Sequence, residues 1–120
     1  MRQDESFGII PLRKDKGHWE VFLIQHRGAR YWGFPKGHAE EGETPLEAAE
    51  RELKEETNLE CARMLQEEPL VENYQFLAEG KRVSKRVLYF IAEVKGTPIL
   101  QQEELNDGIW ISFPRVSASK

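Results

Sequence analysis

Residues 33–60 read GFPKGHAEEGETPLEAAERELKEETNLE, a glycine-rich loop followed by a helix-like run crowded with glutamates. The start of the helix is clearly marked. Thr44 is a good N-cap, Pro45 suits the first helical position, and Glu47 completes a capping box. Asn58 stands where a residue with a left-handed backbone would end the helix. The stretch therefore predicts one helix between these two caps, presented by a loop.

Three carboxylates lie on one side of this predicted helix. Glu55 and Glu56 follow Glu52 by three and four positions, so the three side chains can converge. Like charges at these spacings destabilise a helix, and the macrodipole disfavours anions in its last turns. A divalent cation reverses both penalties, and clusters of carboxylate oxygens suit Mg²⁺ or Mn²⁺. On spacing alone, a solvated acidic face paired with nearby basic residues remains the alternative.

The loop in front of the helix carries groups suited to a phosphorylated ligand. Gly37 permits a close approach of the backbone, and Lys36 and His38 are donors for substrate oxygens beside the carboxylates. The whole segment 27–42 predicts a long loop, and loops of that length in compact domains are usually functional.

The remainder of the chain predicts mainly strands. A continuous apolar run at 19–25 indicates a strand buried on both faces. Strands dominate and one helix is clear, which indicates a mixed sheet with helices packed on it. The predicted strands cover residues 6–12, 19–25, 68–77, 82–94 and 109–113, with an acidic loop at 101–108.

Composition narrows the classes of protein. A chain of 120 residues with 39% apolar and 32% charged residues is typical of one globular domain. A net charge of -4 provides no basic field for nucleic acid, and the longest apolar run, 88–92, is far too short to span a bilayer. The N-terminus has no apolar signal core, and the lone Cys61 cannot form an internal disulfide. We therefore expect a single cytoplasmic domain over residues 1–120, with no membrane or nucleic-acid partner.

The spacing over residues 37–59 resembles the Nudix box, G-x5-E-x7-R-E-U-x-E-E-x-G-U with U apolar. Only the final glycine differs, and Asn58 in its place is the next best residue for a left-handed turn. The resemblance implies an α/β/α sandwich with a mixed sheet, in which the box forms a loop–helix–loop. It also implies hydrolysis of a nucleoside diphosphate linked to another group. The matching positions are Gly37, Glu43, Arg51, Glu52, Leu53, Glu55, Glu56 and Leu59.

The same resemblance implies a metal site. Glu52, Glu55 and Glu56 correspond to the family's metal ligands, and Gly37 to a glycine whose backbone carbonyl also binds metal. Mg²⁺ is the expected ion, with Mn²⁺ as an alternative. Glu104, from a later loop, is a further candidate ligand.

Roles in catalysis also follow from the resemblance. Arg51 is expected to hold a helix glutamate in position, and Glu43 to brace the loop. Either Glu52 or a later loop glutamate is the general base. Glu104 is favoured over its neighbour by its spacing to Trp110, and a stray acidic loop is the alternative. The predicted catalytic residues are therefore Arg51, Glu52, Glu56 and Glu104.

Two further segments are similar to the asymmetrical diadenosine tetraphosphate hydrolases. These are WGFPKGHAEEGE at 32–43 and SKRVLYFIAEVKG at 84–96. The similarity implies cleavage to ATP and AMP. It also implies phosphate contacts from Lys36, His38 and Lys85, and adenine stacking on Tyr89 with Tyr74 as a second candidate. For both tyrosines, ordinary strand packing is the alternative. His18 and His26 are assigned to the surface or to strands, with no role in the site.

Other substrates and one other class remain open. The same chemistry could act on the 5′ end of RNA, a nucleoside triphosphate or a nucleotide sugar. Non-catalytic Nudix modules that only bind nucleotides usually lack box glutamates, all of which are present here. Family members also continue past the strand at Trp110 into another helix, whereas residues 115–120 form a polar tail too short for one. We therefore expect either a short variant or a sequence that lacks its C-terminal piece.

Overall fold

A computed structural model describes residues 2–112 of the chain. Within this part, one helix accompanies seven strands, and no helix is long and apolar enough to cross a membrane. The elements are β1 (Arg2–Asp15), β2 (His18–His26), β3 (Lys36–Gly37), α1 (Pro45–Thr57), β4 (Glu60–Met64), β5 (Leu70–Ala78), β6 (Lys81–Lys95) and β7 (Leu105–Ser112).

All seven strands belong to one mixed sheet, as predicted. Its main path runs β4-β6-β1-β2-β7, with β3 added to β1 and β5 added to β6. Only the central β1–β6 pair is parallel, and it joins the first strand of the described chain to a strand about 80 residues further along. β6 pairs with β1 on one edge and shares its other edge between β4 and β5. β5 and the first part of β6 therefore form a long hairpin.

Pro11 lies inside the central strand β1, opposite Ala92 of β6. Proline lacks the amide proton that a central strand normally donates. The N–H of Ile9 points away from β6 and donates to the carbonyl of Pro35 at 3.2 Å. An amide at residue 11 would point the same way, where the pairing with β3 has ended and the pairing with β2 begins only at Leu12. The proline therefore removes no ladder hydrogen bond.

The helix begins and ends where the sequence predicts. The hydroxyl of Thr44 accepts from the N–H of Glu47 at 3.1 Å, and Glu47 Oε1 accepts from the N–H of Thr44 at 3.0 Å. Asn58 has φ 67° and ψ 5°, the left-handed region, and its N–H donates to the carbonyl of Lys54. The buried face of α1 packs on the sheet. The core between them contains Phe7, Ile9, Phe22, Ile24, Ala48, Ala49, Leu53, Leu59, Ala92, Val94 and Leu105.

Replacement of Asn58 measures the cost of its left-handed backbone. Both Asn58→Gly and Asn58→Ala lose the side-chain hydrogen bond to the carbonyl of Thr97. Only alanine carries a Cβ that disfavours positive φ, so we expect the alanine variant to be less stable than the glycine variant by about 1 kcal/mol. Urea unfolding of the two variants measures this difference. Equal stabilities would show that the backbone conformation at residue 58 is not strained.

The strand boundaries differ from the prediction mainly in four places. β1 starts four residues before and ends three residues after the predicted range 6–12, because its pairing with β6 begins at Arg2 and its pairing with β2 extends to Asp15. The segment 60–64, for which the sequence predicts no strand, forms β4 and pairs with the end of β6. The long loop at 27–42 contains the short strand β3. The last strand starts at Leu105, four residues earlier than predicted, because its pairing with β2 continues to His26 across an irregularity. Each of these segments is short or polar and acquires strand structure from its partner.

Burial along β2 also differs from the prediction. Phe22 and Ile24 are buried beneath α1, but Val21 and Leu23 on the other face are only half-buried. The described residues provide a helix on one face of the sheet, and the second helical layer of a sandwich has no member among them. Phe113 of the predicted last strand and the tail at 115–120 lie outside the described residues.

Candidate active site

A cavity of about 480 Å³ opens where the loop before α1 meets β1 and the loop before β7. It brings together residues that are far apart in the sequence and that carry most of the predicted functions. Its lining consists of Ser6, His26, Lys36, Gly37, His38, Ala39, Glu40, Arg51, Glu52, Glu56 and Glu104. We call this the acidic cavity.

Gly37 lies directly against the carboxylate of Glu52. It belongs to β3 and pairs with Phe7, on the face of the sheet that α1 covers. A Cβ atom at residue 37 would collide with all three carboxyl atoms of Glu52. Only glycine allows this carboxylate to occupy its present position against the backbone of residue 37.

Arg51 connects the loop to the helix. Its Nε donates to Glu43 Oε2 at 2.7 Å, its Nη1 donates to Glu52 Oε2 at 3.1 Å and to Glu55 Oε1 at 3.2 Å, and its Nη2 donates to the carbonyl of His38 at 2.9 Å. Hydrogen bonding to this guanidinium lowers the pKa of Glu43 below its ordinary value. Arg51 thus contacts Glu43 of the loop and Glu52 and Glu55 of the helix, and the positioning role of Arg51 and the bracing role of Glu43 stay predictions.

Glu56 is the most perturbed acid of the cavity. The residue is only 4% exposed, and its Oε1 has no hydrogen-bond partner among the described residues. Burial is the main cause that raises its pKa to about 9, and the neighbouring carboxylates of Glu52 and Glu104 raise it further, against a smaller opposite effect of Lys36. A buried, unpartnered carboxylate oxygen beside two other carboxylates is a position that a cation would stabilise.

The loop before β7 is attached so that Glu104 reaches the acidic cavity. The N–H of Gln101 donates to the carbonyl of Glu56 at 3.1 Å, which joins the loop to the end of the helix. On the other side, the N–H of Arg27 donates to the carbonyl of Glu104 at 2.8 Å, and its Nε donates to the carbonyl of Gln102 at 2.7 Å. Glu104 lines the cavity whereas Glu103 does not.

The donor set fits a hard divalent cation. Among residues 2–112, no three His, Cys, Asp or Glu side chains already stand together at metal-binding distances. Glu55 turns to Arg51, with 51% of its side chain exposed, and does not line the cavity. Glu52, Glu56 and Glu104 nevertheless present carboxylate oxygens to one space, and one oxygen of Glu56 is unpartnered. These three, with the Gly37 carbonyl, are the residues that would hold Mg²⁺ or Mn²⁺; a part for Glu55 stays a prediction.

A second cavity, of about 570 Å³, adjoins the first. Both predicted stacking residues line it: Tyr74, which is 41% exposed, and Tyr89, which is nearly buried and packs edge-on against Phe34 with ring centroids 5.3 Å apart. Lys36 lines both cavities. We call the second one the aromatic cavity, and its lining comprises Ile10, Tyr31, Trp32, Gly33, Phe34, Lys36, Leu70, Val71, Glu72, Tyr74 and Tyr89.

Lys85 is placed differently from the other predicted phosphate ligands. It is only 6% exposed and lines neither cavity. Its Nζ donates to Asp4 Oδ2 at 2.7 Å and to Ser6 Oγ at 2.6 Å. His38, by contrast, does line the acidic cavity, and its Nε2 is 2.9 Å from Asp4 Oδ1.

Several lining residues were missed from the sequence. The sequence predicts His26 to be a surface or strand residue with no role in the site, but it ends β2 at the rim of the acidic cavity, where burial lowers its pKa. Ser6 was counted only as part of a strand, and Trp32 and Glu72 were not singled out. The position of His26, directly after a predicted strand and before a functional loop, could have indicated that it lies at the site. The positions of Ser6, Trp32 and Glu72 at the cavities could not be predicted, because they depend on which strands become neighbours.

Comparisons with known proteins agree with the fold and the box. A sequence profile of the NUDIX domain matches residues 2–120. A mouse bis(5'-nucleosyl)-tetraphosphatase [asymmetrical] is 38% identical over 88 residues, which cover 72% of this chain and 58% of the mouse protein. An RNA pyrophosphohydrolase of Bartonella bacilliformis is 46% identical over 69 residues, covering 52% of this chain and 41% of that protein.

A solved structure gives the same result. The crystal structure of a C. elegans Ap4A hydrolase binary complex superimposes with a TM-score of 0.66 at 27% identity, covering 90% of this chain and 79% of that one. The matched part of the mouse relative is 58% of its length, so this chain corresponds to little more than half of it. The profile matches almost every residue, and the mixed sheet carries the box on one loop and one helix. This chain therefore belongs to the NUDIX family and has the Nudix fold.

Proposed function

We propose that this chain is a Nudix hydrolase that cleaves diadenosine tetraphosphate asymmetrically, to ATP and AMP, with Mg²⁺ as its cofactor. One observation carries the proposal: Lys36 lines both the acidic cavity and the aromatic cavity. A polyphosphate chain at the acidic cavity can therefore continue into a nucleotide whose base enters the aromatic cavity. The substrate is a small molecule, and no nucleic-acid or membrane partner is needed.

The relatives support the same substrate. The mouse protein is named as an asymmetrical tetraphosphatase, and the C. elegans structure is named as an Ap4A hydrolase. Tyr74 and Tyr89 supply aromatic surface on which a purine can stack. Lys36 and His38 supply donors for phosphate oxygens at the mouth of the acidic cavity.

The proposed reaction is an in-line displacement at phosphorus. The oxygen of a water molecule bonds to one phosphorus atom while the bridging P–O bond opposite to it breaks, and the leaving nucleotide departs as its phosphate anion. A glutamate accepts the proton that the water releases. A bound Mg²⁺ supplies charge neutralisation and lowers the pKa of water. Arg51 keeps Glu52 in position through its hydrogen bond at 3.1 Å.

Glu104 and Glu52 are both candidates for the general base. Both carboxylates line the acidic cavity, but Arg51 already donates to Glu52, whereas no hydrogen bond engages the Glu104 side chain among the described residues. We favour Glu104 for this reason. The family's other choice, Glu52, remains the second candidate.

A product assay over a panel of substrates tests the function. The panel contains diadenosine tetraphosphate, diadenosine triphosphate, ADP-ribose, a nucleoside triphosphate and a 5′-triphosphorylated RNA oligonucleotide, each with Mg²⁺. We expect diadenosine tetraphosphate to react fastest and to yield ATP and AMP in equal amounts, quantified by anion-exchange chromatography. Two molecules of ADP would indicate symmetrical cleavage, and no reaction with this substrate would overturn the proposal.

Removal of pyrophosphate from the 5′ end of RNA is the second candidate function. The similarity to the Bartonella RNA pyrophosphohydrolase over 69 residues favours it. The net charge of -4 opposes it, since RNA binding generally requires a basic surface. Faster reaction of the RNA oligonucleotide than of the dinucleotide in the same panel would select this function.

A further inference from the structure

We propose that Asp4 is a positioning residue for the polyphosphate, holding Lys85 and His38 in the orientation that binds it. The inference rests on the proposed function, because both side chains are expected to meet phosphate. Asp4 lies on β1 and has no part in the Nudix box. One of its oxygens is 2.7 Å from Lys85 Nζ and the other is 2.9 Å from His38 Nε2.

Lys85 needs Asp4 because its ammonium group is buried. Asp4 and Lys85 are register partners on the parallel strands β1 and β6, so their side chains lie side by side on one face. Tyr74 of β5 is the partner of Lys85 on its other side. A buried charge requires a counter-charge with good geometry, and Asp4 is the acid within salt-bridge distance of Lys85 in the described structure. Asp4 therefore holds the ammonium group of Lys85 in place.

The geometry leaves Lys85 one proton for a ligand. An ammonium group has three N–H donors, and Asp4 and Ser6 take two of them. Ser6, which accepts from Lys85, lines the acidic cavity, and Tyr74, the register partner of Lys85 on β5, lines the aromatic cavity, so Lys85 lies beside a residue of each cavity. The two acceptors on β1 thus fix the direction of the third donor.

His38 is held at two points. Its carbonyl accepts from Arg51 Nη2 at 2.9 Å, and its imidazole Nε2–H donates to Asp4 Oδ1. With 66% of its side chain exposed, the imidazole would otherwise rotate freely at the mouth of the acidic cavity. Through Asp4, the loop before α1 is tied to the buried lysine of β6.

Removal of the Asp4 carboxylate should change the affinity for the polyphosphate, and the sign of that change distinguishes a positioning role from simple charge repulsion. A carboxylate near a polyphosphate repels it, so its removal should strengthen binding if Asp4 has no other role. If Asp4 positions Lys85 and His38, its removal weakens binding, because both side chains lose their orientation. The two possibilities predict changes of opposite sign in the same measurement.

The test compares Asp4→Asn with Glu5→Gln. Glu5 is adjacent on β1 and pairs with Arg86 at 3.4 Å on the other face, so its variant also removes one carboxylate and one ion pair. On the panel substrate that the wild type hydrolyses fastest, we expect Asp4→Asn to raise KM about tenfold with kcat within about threefold. Glu5→Gln should leave both unchanged. An unchanged or lower KM for Asp4→Asn would overturn the proposal.

A second pair of variants tests the same proposal if Asp4→Asn does not fold. Lys85→Met and the double variant Asp4→Asn/Lys85→Met contain no unpaired buried ammonium group. We expect their KM values to agree within about threefold, since most of the effect of Asp4 is transmitted through Lys85. A clearly lower KM of the double variant would show that Asp4 only repels the substrate.

Calorimetric binding of inorganic tripolyphosphate without divalent ions provides a measurement that is independent of the substrate. We expect about tenfold weaker binding by Asp4→Asn than by the wild type. If the wild type prefers another substrate, the proposed function fails. The KM comparison and the tripolyphosphate binding would still show whether Asp4 positions Lys85 and His38. Equal or tighter tripolyphosphate binding by the variant would contradict this positioning role.

Discussion

Glu56→Gln is expected to reduce turnover by about 10³-fold or more, the scale of losing a charged group that acts on the transition state. The carboxylate is buried, shares the acidic cavity with Glu52 and Glu104, and leaves one oxygen unpartnered. Glutamine preserves its shape but lacks the negative charge that a divalent cation requires. Steady-state hydrolysis of the best panel substrate with Mg²⁺ measures the loss.

The same variant should be more stable than the wild type when metal is removed at alkaline pH. The folded-state pKa of Glu56 is raised from 4.5 to about 9, so between these values the folded protein binds a proton that the unfolded chain has released. The stability of the wild type in EDTA should therefore fall as pH rises through this interval. Glutamine cannot ionise, so this contribution disappears. Urea unfolding at pH 6 and pH 9 compares the two proteins.

Glu50→Gln is the matched control, since Glu50 is an exposed acid on the same helix outside the cavity. It should retain activity and the wild-type dependence of stability on pH. Wild-type turnover by Glu56→Gln would show that this residue is not a metal ligand.

Gly37→Ala is expected to reduce kcat about a hundredfold while leaving the fold intact. The new Cβ would collide with the carboxyl group of Glu52, which is the far end of a flexible side chain and can move away. The variant should therefore fold, but with Glu52 displaced from the backbone of residue 37 and from its contact with Arg51. A misplaced group of this kind commonly costs about 10²-fold in rate. Steady-state kinetics and urea unfolding together separate loss of activity from loss of stability.

Gly33→Ala provides the control for this change. It lies in the same loop, and a Cβ atom there would meet nothing within 4 Å. Because Gly33 lines the aromatic cavity, any effect on substrate binding should appear in KM, whereas kcat and stability should stay nearly unchanged. If both alanine variants lost activity equally, the loss would reflect loop flexibility rather than contact with Glu52.

The helix caps and the placement of two helix glutamates were predicted correctly because they depend on residues close together in the chain. The capping box of Thr44 and Glu47 and the left-handed Asn58 involve residues close together in the chain, so their structure follows from short-range rules. The spacing of Glu52 and Glu56 likewise places both on one side of the helix. The family match over residues 2–120 agrees with the resemblance that these residues carried.

Pairing between distant segments accounts for what was missed. Asp4 and Lys85 are 81 residues apart, and no local pattern indicates that they meet. β4 is short and forms a strand only by pairing with β6. Leu105 is predicted to lie in a loop but belongs to β7, because it pairs with His26 far upstream in the chain. The aromatic cavity combines Trp32 from a loop with Tyr89 from β6, which become neighbours only when the sheet has formed.

The parallel pairing of β1 with β6 has a consequence for the order of folding. These strands join positions about 80 residues apart, so closing that loop is a slow, entropically costly step. The helix with its caps can form early, from local contacts. The cavities cannot, because Ser6, Lys36 and Glu104 converge only after β1 has docked. In refolding experiments, helical circular dichroism should therefore recover before hydrolytic activity, and the delay should report the docking of the N-terminal strand.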